Sequence, residues 1–161
     1  MLIDALRGLL MLGFLVTLGI SGGIATFAKA DEVTVDVIDG VAIKGADPVS
    51  YFSSKAPASG KSDITLVWNG ATWRFATVEN RDAFAADPAK YAPQFGGYCA
   101  TGMSFGKKIP VDPAYFRIVD GKLYLNNSGK AQAYFDNDAD GTIRKAKMHW
   151  PEVEKVPADK L

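Results

Sequence analysis

The chain has 161 residues, in which 18 lysines and arginines balance 18 aspartates and glutamates. A balanced charge without a basic block lacks the positive stripe that phosphate backbones require, so we expect no nucleic-acid partner. With one cysteine and one histidine, a monomer cannot assemble a structural zinc site from Cys/His sets or the two-His-plus-Cys set of a blue-copper centre.

The N-terminus has the three parts of a secretory signal peptide. Arg7 lies near the start, an apolar stretch covers residues 9–20, and the small-residue triplet Ala28-Lys29-Ala30 ends in an A-x-A cleavage site. We predict a signal peptide over residues 1–30, a mature domain over residues 31–161, and a periplasmic or secreted location. The alternative is an uncleaved anchor in the inner membrane, because the uncharged run is about 20 residues long, enough to cross a hydrocarbon core. Only in that case would the protein contact a membrane.

The mature chain, roughly 130 residues, has the commonest size of a single domain. Two hairpin signals lie within it. Asn69-Gly70 interrupts ITLVWNGATWRFA, and Asp120-Gly121 interrupts YFRIVDGKLYLN. Both dipeptides tolerate the positive φ of a two-residue type I′ turn. They predict two hairpins with four strands.

Helical signals lie between and after the hairpins. Thr77 is predicted to cap one helix, and Asp87, followed by proline, to start a short second one. Ser128 is predicted to cap another, and a last run begins at Thr142 and is stopped by Pro151. Strands and helices are grouped rather than alternating. We therefore predict a small single α+β domain with two β-hairpins packed with about three short helices.

Residues 102–106 match G-x-S-x-G, the elbow that exposes a nucleophilic serine in α/β-hydrolases. Asp120 and His149 follow in the order that fold uses. The elbow needs a buried strand before it and a helix after it, whereas GGYCAT precedes Ser104 and the two-proline segment GKKIPVDP follows. Serine hydrolysis through Ser104 is therefore the minor alternative, and we predict that the protein is not an enzyme.

Residues 136–143 match the first eight positions of an EF-hand calcium loop, with Asp136, Asp138 and Asp140 as oxygen donors. The twelfth position, which requires a bidentate glutamate, is Lys147, whose charge repels Ca²⁺. The favoured interpretation is an acidic turn that joins two helices, with Asp140 capping the second. Weak calcium binding is the alternative.

Aromatic residues are dense in the mature domain, and most are expected in the core because they bury large areas. Tyr98, beside Cys99, is the candidate to line a shallow ligand pocket instead. The full set is Trp68, Trp73, Phe75, Phe84, Tyr91, Phe95, Tyr98, Tyr115, Phe116, Tyr124, Tyr134, Phe135 and Trp150.

Three segments together resemble exported members of the YHS-domain family. They are GVAIKGADPVSYF, then NGATWRFATVENRDAFAADPAKYAPQFGGYCA, then IVDGKLYLN with a closing Trp150-Pro151. The resemblance runs from about residue 41 to residue 151, and the block over residues 73–100 is its most specific part. It implies a small exported protein of this family, and we expect a binding module.

The wider YHS group includes metal-handling modules in which similar motifs read DPVCGM and FCSxxC. On this chain, their cysteines fall on Ser50, Ala76 and Asn80. Because the thiolate is the soft ligand that makes such a site, that metal site is not carried over.

Cys99 cannot form an internal disulfide, so it is a buried small hydrophobe, a free thiol, an intermolecular partner or a metal ligand. Cys99 and Met103, in GGYCATGM, are soft donors that suit Cu(I), with His149 as the candidate third ligand. The leading hypothesis is binding of a soft metal such as copper, with the metal ion or another exported or membrane protein as partner. The alternative is a structural or partner-binding scaffold in which Cys99 belongs to the core.

Overall fold

The structure is a computed structural model that describes residues 35–54 and 56–161. All of them belong to the unit Asp31–Leu161. The predicted signal peptide, residues 1–30, and its cleavage site lie outside the described residues. Within the described part of the chain, no helix combines the length and the apolar character needed to cross a membrane.

Three sheets carry the strands. In chain order these are β1 (Val37–Ile38), β2 (Val41–Ala42), β3 (Ala46–Asp47), β4 (Ala58–Ser59), β5 (Lys61–Trp68), β6 (Ala71–Phe75), β7 (Phe116–Val119) and β8 (Lys122–Leu125). The largest sheet has the order β1-β2-β6-β5, and the other two are the pairs β3-β4 and β7-β8. All pairs are antiparallel except β2 with β6, which is parallel.

Both predicted hairpins form, one between β5 and β6 and one between β7 and β8. Asn69 and Asp120 each have φ of +49°, and the glycine after each also has a positive φ, as a type I′ turn requires. A third hairpin, which the sequence prediction lacks, joins β1 to β2 through Asp39 and the glycine that follows it. Its signal was the same Asp-Gly dipeptide between apolar pairs.

Six helices are described: α1 (Ser50–Ser53), α2 (Val78–Ala86), α3 (Pro88–Tyr91), α4 (Ala100–Met103), α5 (Gly129–Asn137) and α6 (Ala139–Val153). Three of them have nine residues or more, and the others are single turns of four residues. The side chains of Thr77, Asp87 and Ser128 accept the backbone N–H bonds expected of N-caps. The α+β prediction is confirmed.

The last helix differs from its prediction at both ends. It begins at Ala139, and Asp138 rather than Asp140 is its cap, accepting from the N–H of Gly141 at 2.9 Å. It continues through Pro151 to Val153. Pro151 cannot donate to the carbonyl four residues earlier. The helix still continues for two residues, and it ends with the N–H of Glu154 donating to the carbonyl of Trp150.

The core consists of two clusters of buried side chains. The first is centred on Phe84, whose ring contacts those of Trp73 and Phe75, with Trp68 packed at the edge. The second lies among α4, α5, α6 and β8, and consists of Phe95, Ala100, Met103, Tyr124, Phe135, Ile143, Ala146 and Val153. Most aromatic residues are therefore core, as predicted.

Two left-handed turns pack against each other. Ile43, Lys44 and Gly45 have φ of +42°, +54° and +78°, and residues 95–97 have +56°, +61° and +81°. A Cβ on Gly97 would lie 2.7 Å from Cγ2 of Ile43, so only glycine fits there. Positive φ is costly for a β-branched residue, and the buried packing of Ile43 holds this conformation in place.

Candidate functional site

Cys99 is the N-cap of α4, and its residue is only 1% exposed. Its sulfur accepts from the N–H of Gly102 at 3.3 Å and donates to Oδ1 of Asn126 at 3.5 Å. Oδ1 of Asn127 lies 3.8 Å from the same sulfur. Burial raises the pKa of the Cys99 thiol, although nearby hydrogen bonds oppose that shift. The neutral thiol is therefore the favoured form.

Asn126 fixes the position of the thiol. It is fully buried and directly follows β8. Its Oδ1 accepts from the N–H and the hydroxyl of Thr101 at 3.2 and 2.9 Å, and its amide donates to Oε1 of Gln132 at 3.2 Å. One side chain thus ties β8 to α4 and α5, and the sulfur of Cys99 shares the same acceptor.

Cys99 lines an open pocket of about 280 Å³ between α4 and α5. Phe105 and Tyr134 are 58% and 43% exposed, and their ring centroids lie 5.6 Å apart. The lining residues, named together the Cys99 pocket, are Cys99, Thr101, Gly102, Phe105, Ile109, Asn127, Ser128, Lys130, Ala131 and Tyr134. The aliphatic and aromatic residues give the pocket largely apolar walls. The polar groups in the lining are a thiol, hydroxyls, an amide and one ammonium group.

The two other predicted copper ligands lie elsewhere. Met103 is fully buried in the second core cluster, and it does not line the Cys99 pocket. The His149 side chain is 42% exposed, beside Gly106 and 4.0 Å from a carboxylate oxygen of Glu152. In the described part of the chain, no group of three or more His, Cys, Asp or Glu side chains is arranged to hold a metal ion.

The surroundings of the sulfur do not fit a Cu(I) centre. Its described neighbours are a backbone N–H and the amide oxygens of Asn126 and Asn127, whereas Cu(I) selects thiolate and thioether ligands. A raised thiol pKa also opposes the thiolate that a metal needs. The set Cys99, Met103 and His149 stays a prediction without support from the geometry.

The acidic segment forms helix ends rather than a loop. Asp136 pairs with Arg117 and accepts from Nε2 of Gln132 at 2.8 Å. Asp138 caps α6, and Asp140 lies in the first turn of that helix. Because α5 ends at residue 137 and α6 begins at residue 139, no stretch here can wrap around Ca²⁺. The favoured interpretation, a turn between two helices, describes the segment better.

Ser104 and Tyr98 are both occupied by structural contacts. Ser104 is buried after the single turn of α4, and its hydroxyl donates to the carbonyl of Thr101 at 2.7 Å. No strand leads into it as a nucleophile elbow would need. Tyr98 is buried, its hydroxyl donates to the carbonyl of Val35 at 3.3 Å, and it does not line the Cys99 pocket.

Asp47, which lies in the segment GVAIKGADPVSYF, organises a second cluster. Its fully buried carboxylate accepts from the N–H of Val49 at 2.9 Å, the N–H of Ala76 at 2.9 Å and Nδ2 of Asn80 at 2.6 Å. Its carbonyl accepts from the hydroxyl of Ser50 at 2.7 Å. We name Asp47, Ser50, Ala76 and Asn80 the Asp47 cluster. A buried carboxylate among scattered backbone donors has no sequence signal of its own.

The geometry thus provides two distinct features, a closed carboxylate cluster and an open pocket at the thiol. The first joins α1 to the end of β6 and the start of α2. The second lies between α4 and α5. Comparison of the chain with models of known families, with curated proteins and with solved structures gave no match.

Proposed function

We propose that the chain is an exported, non-enzymatic binding module of the YHS-domain family, and that a small apolar ligand binds in the Cys99 pocket. The observation that carries this proposal is the open pocket of about 280 Å³ with largely apolar walls. Ligand sites are concave, mostly apolar and furnished with a few polar groups, and they range upward from about 300 Å³. The Cys99 pocket, at about 280 Å³, lies just below that range, so the ligand is small.

The Asp47 cluster supports the family assignment. The positions that carry cysteines in the metal-handling YHS modules are Ser50, Ala76 and Asn80, which come from two separate segments of the chain. All three contact Asp47 directly. Positions that would have to meet around a metal do meet in this fold, with a hydrogen-bonded carboxylate among them instead of thiolates.

The residues of the pocket support a binding role over catalysis. A nucleophilic thiol needs a lowered pKa or an adjacent general base. Burial raises the pKa of Cys99, and none of the described residues that line the pocket is Asp, Glu or His. The thiol, which already donates to Asn126, is thus a neutral group in the wall of the pocket rather than a nucleophile.

A second candidate is docking of an apolar side chain from another exported protein into the same pocket. The exposure of Phe105 and Tyr134, at 58% and 43%, favours it, because aromatic residues are enriched in the centres of protein interfaces. Copper binding through Cys99 is the remaining alternative, in which only the sulfur is already in place.

The test is a titration of the ¹⁵N-labelled mature protein with indole, followed by NMR. We expect saturable shifts at the amides of Gly102, Asn127 and Ala131, which line the pocket. Ala131→Leu places three extra carbons in the pocket and should weaken binding at least about fivefold, since overfilling a packed site costs about 1–3 kcal/mol. Ala133→Leu, on the exposed side of the same helix, is the matched control and should bind as the wild type does.

Equal indole binding by Ala131→Leu and wild type would overturn the proposed site, as would the absence of saturable shifts at pocket amides. The same samples are titrated with Cu(I). Stoichiometric binding that disappears in Cys99→Ala would replace the apolar ligand with a metal. The dispersion of the ¹⁵N NMR spectra of Ala131→Leu and Cys99→Ala shows whether these variants are folded.

A further inference from the structure

A second pocket, of about 260 Å³, lies on the β1-β2 hairpin and β6. It is lined by Ile38, Asp39, Val41, Lys44 and Arg74. It shares no lining residue with the Cys99 pocket. Two cations, one carboxylate and two aliphatic side chains give it a mixed character that the Cys99 pocket lacks. We name it the Arg74 pocket.

Neither cation of this pocket forms a close ion pair among the described residues, although the positive charge of Lys44 opposes the rise that burial causes in the pKa of the Asp36 carboxyl. Four ion pairs are described, and neither Lys44 nor Arg74 takes part in any of them. Arg74 is half-buried on the outward face of β6. Its guanidinium therefore presents its donors to the pocket without a bound carboxylate. An arginine held away from bulk water is a favourable partner for an incoming oxyanion.

The backbone holds both cations in place. Lys44 is the middle residue of the left-handed turn at residues 43–45, with φ of +54°. Arg74 lies across Gly45, since a Cβ on that glycine would be 3.4 Å from Cδ and 3.7 Å from Nη1 of the arginine. Strained conformations of this kind persist where the surrounding structure enforces them, often at binding sites. The strain here displays one cation beside the other.

We propose that the Arg74 pocket binds a small aliphatic carboxylate. Arg74 has the planar donor geometry that matches a carboxylate with two hydrogen bonds, and Lys44 adds a point charge. Ile38, which is 46% exposed, and Val41 offer an aliphatic wall for the body of the ligand. Asp39 repels any anion and so weakens binding of either ligand. The aliphatic side chains of Ile38 and Val41 favour a carboxylate with an apolar body over inorganic phosphate, which has none.

Isobutyrate is the probe, titrated into the ¹⁵N-labelled mature protein at constant ionic strength, with inorganic phosphate for comparison. We expect saturable shifts at the amides of residues 38–45 and 74, and weaker binding of phosphate. Arg74→Gln should weaken isobutyrate binding about tenfold and Lys44→Gln about fivefold, since a charge-assisted hydrogen bond contributes roughly 1.5–3 kcal/mol before screening. Lys145→Gln, an exposed lysine of α6, is the charge-matched control.

Asp39→Asn should increase the affinity for isobutyrate, the opposite of the effect of Arg74→Gln and Lys44→Gln. Asparagine keeps the turn, because it tolerates positive φ as well as aspartate does, and it removes the repelling charge. Isobutyrate should bind about threefold more tightly, as expected for one exposed charge. Equal binding by Arg74→Gln and Lys145→Gln, or no gain in Asp39→Asn, would overturn the proposal. Ala131→Leu should leave isobutyrate binding unchanged, so this site and the Cys99 pocket fail or succeed independently.

Discussion

Asp47 and Cys99 are both buried polar groups that precede a short helix, but their surroundings differ. The Asp47 carboxylate accepts three hydrogen bonds and is sealed on all sides. The Cys99 sulfur accepts one bond, donates one weak bond, and lines an open pocket. A buried charge needs several donors to offset its desolvation, whereas a neutral thiol behaves as a small hydrophobe and needs few. Asp47, whose carboxylate has several hydrogen-bond donors, stabilises the fold. Cys99, which has fewer hydrogen bonds, borders space that a ligand can fill.

The largest change in stability should come from removing the Asp47 carboxylate. Asp47→Ala leaves the N–H of Val49, the N–H of Ala76 and the amide of Asn80 without their acceptor, and buried groups left unpaired cost about 1–3 kcal/mol each. We expect a loss of about 4 kcal/mol in the free energy of unfolding, measured by urea denaturation of the mature protein. Asp63→Ala, an exposed aspartate of β5, is the control and should change it by less than about 0.5 kcal/mol. A loss below about 1 kcal/mol for Asp47→Ala would show that the cluster is not structural.

Local signals in the sequence predicted the turns and the helix starts. Asn69, Asp120, Thr77 and Ser128 each act through residues within three positions of themselves, so their chemistry is readable in a short window. The helix end at Pro151 was mispredicted because tertiary packing can override a local helix breaker, and here Val153, after the proline, is packed in the second core cluster. The α+β class followed from the grouping of these signals.

The candidate site was predictable only in part. Cys99 stood out because it is the one cysteine of a chain with a predicted export signal. Its actual neighbours come from far along the chain, with Asn126 27 residues away, and nothing local indicates that an asparagine will provide the acceptor. Met103 was proposed beside Cys99 for its spacing, yet it lies in the other core cluster. Spacing in sequence cannot decide which cluster a side chain enters.

A smaller loss of stability should come from replacing Asn126, the buried side chain that holds the thiol of Cys99 in place. Asn126→Ala removes the acceptor shared by Thr101 and Cys99. It also removes the amide that donates to Oε1 of Gln132. We expect a loss of about 2–3 kcal/mol in the free energy of unfolding, together with faster reaction of Cys99 with a thiol reagent. The neighbouring variant Asn127→Ala is the matched control, because its oxygen lies farther from the sulfur, at 3.8 Å, and the residue is only partly buried. If both variants lose equal stability, the thiol is not positioned by Asn126.

The smallest effect should be the dependence of stability on alkaline pH through Cys99. Burial raises the native pKa of the Cys99 thiol, so on raising the pH the unfolded chain loses its thiol proton first, near its usual value of about 8.5. Between that value and the native pKa the unfolded state binds fewer protons than the native state, so the free energy of unfolding falls as pH rises. The pKa values of Tyr51, Tyr98 and Tyr124 are also raised by burial, and they act in the same direction at higher pH. Cys99→Ser, which does not titrate in this range, should show a shallower decline from pH 8 to pH 9.5 in urea denaturation. Identical slopes in the two proteins would mean that the thiol of Cys99 has the same pKa in the native protein as in the unfolded chain, which would remove the raised pKa as an argument against metal binding through Cys99.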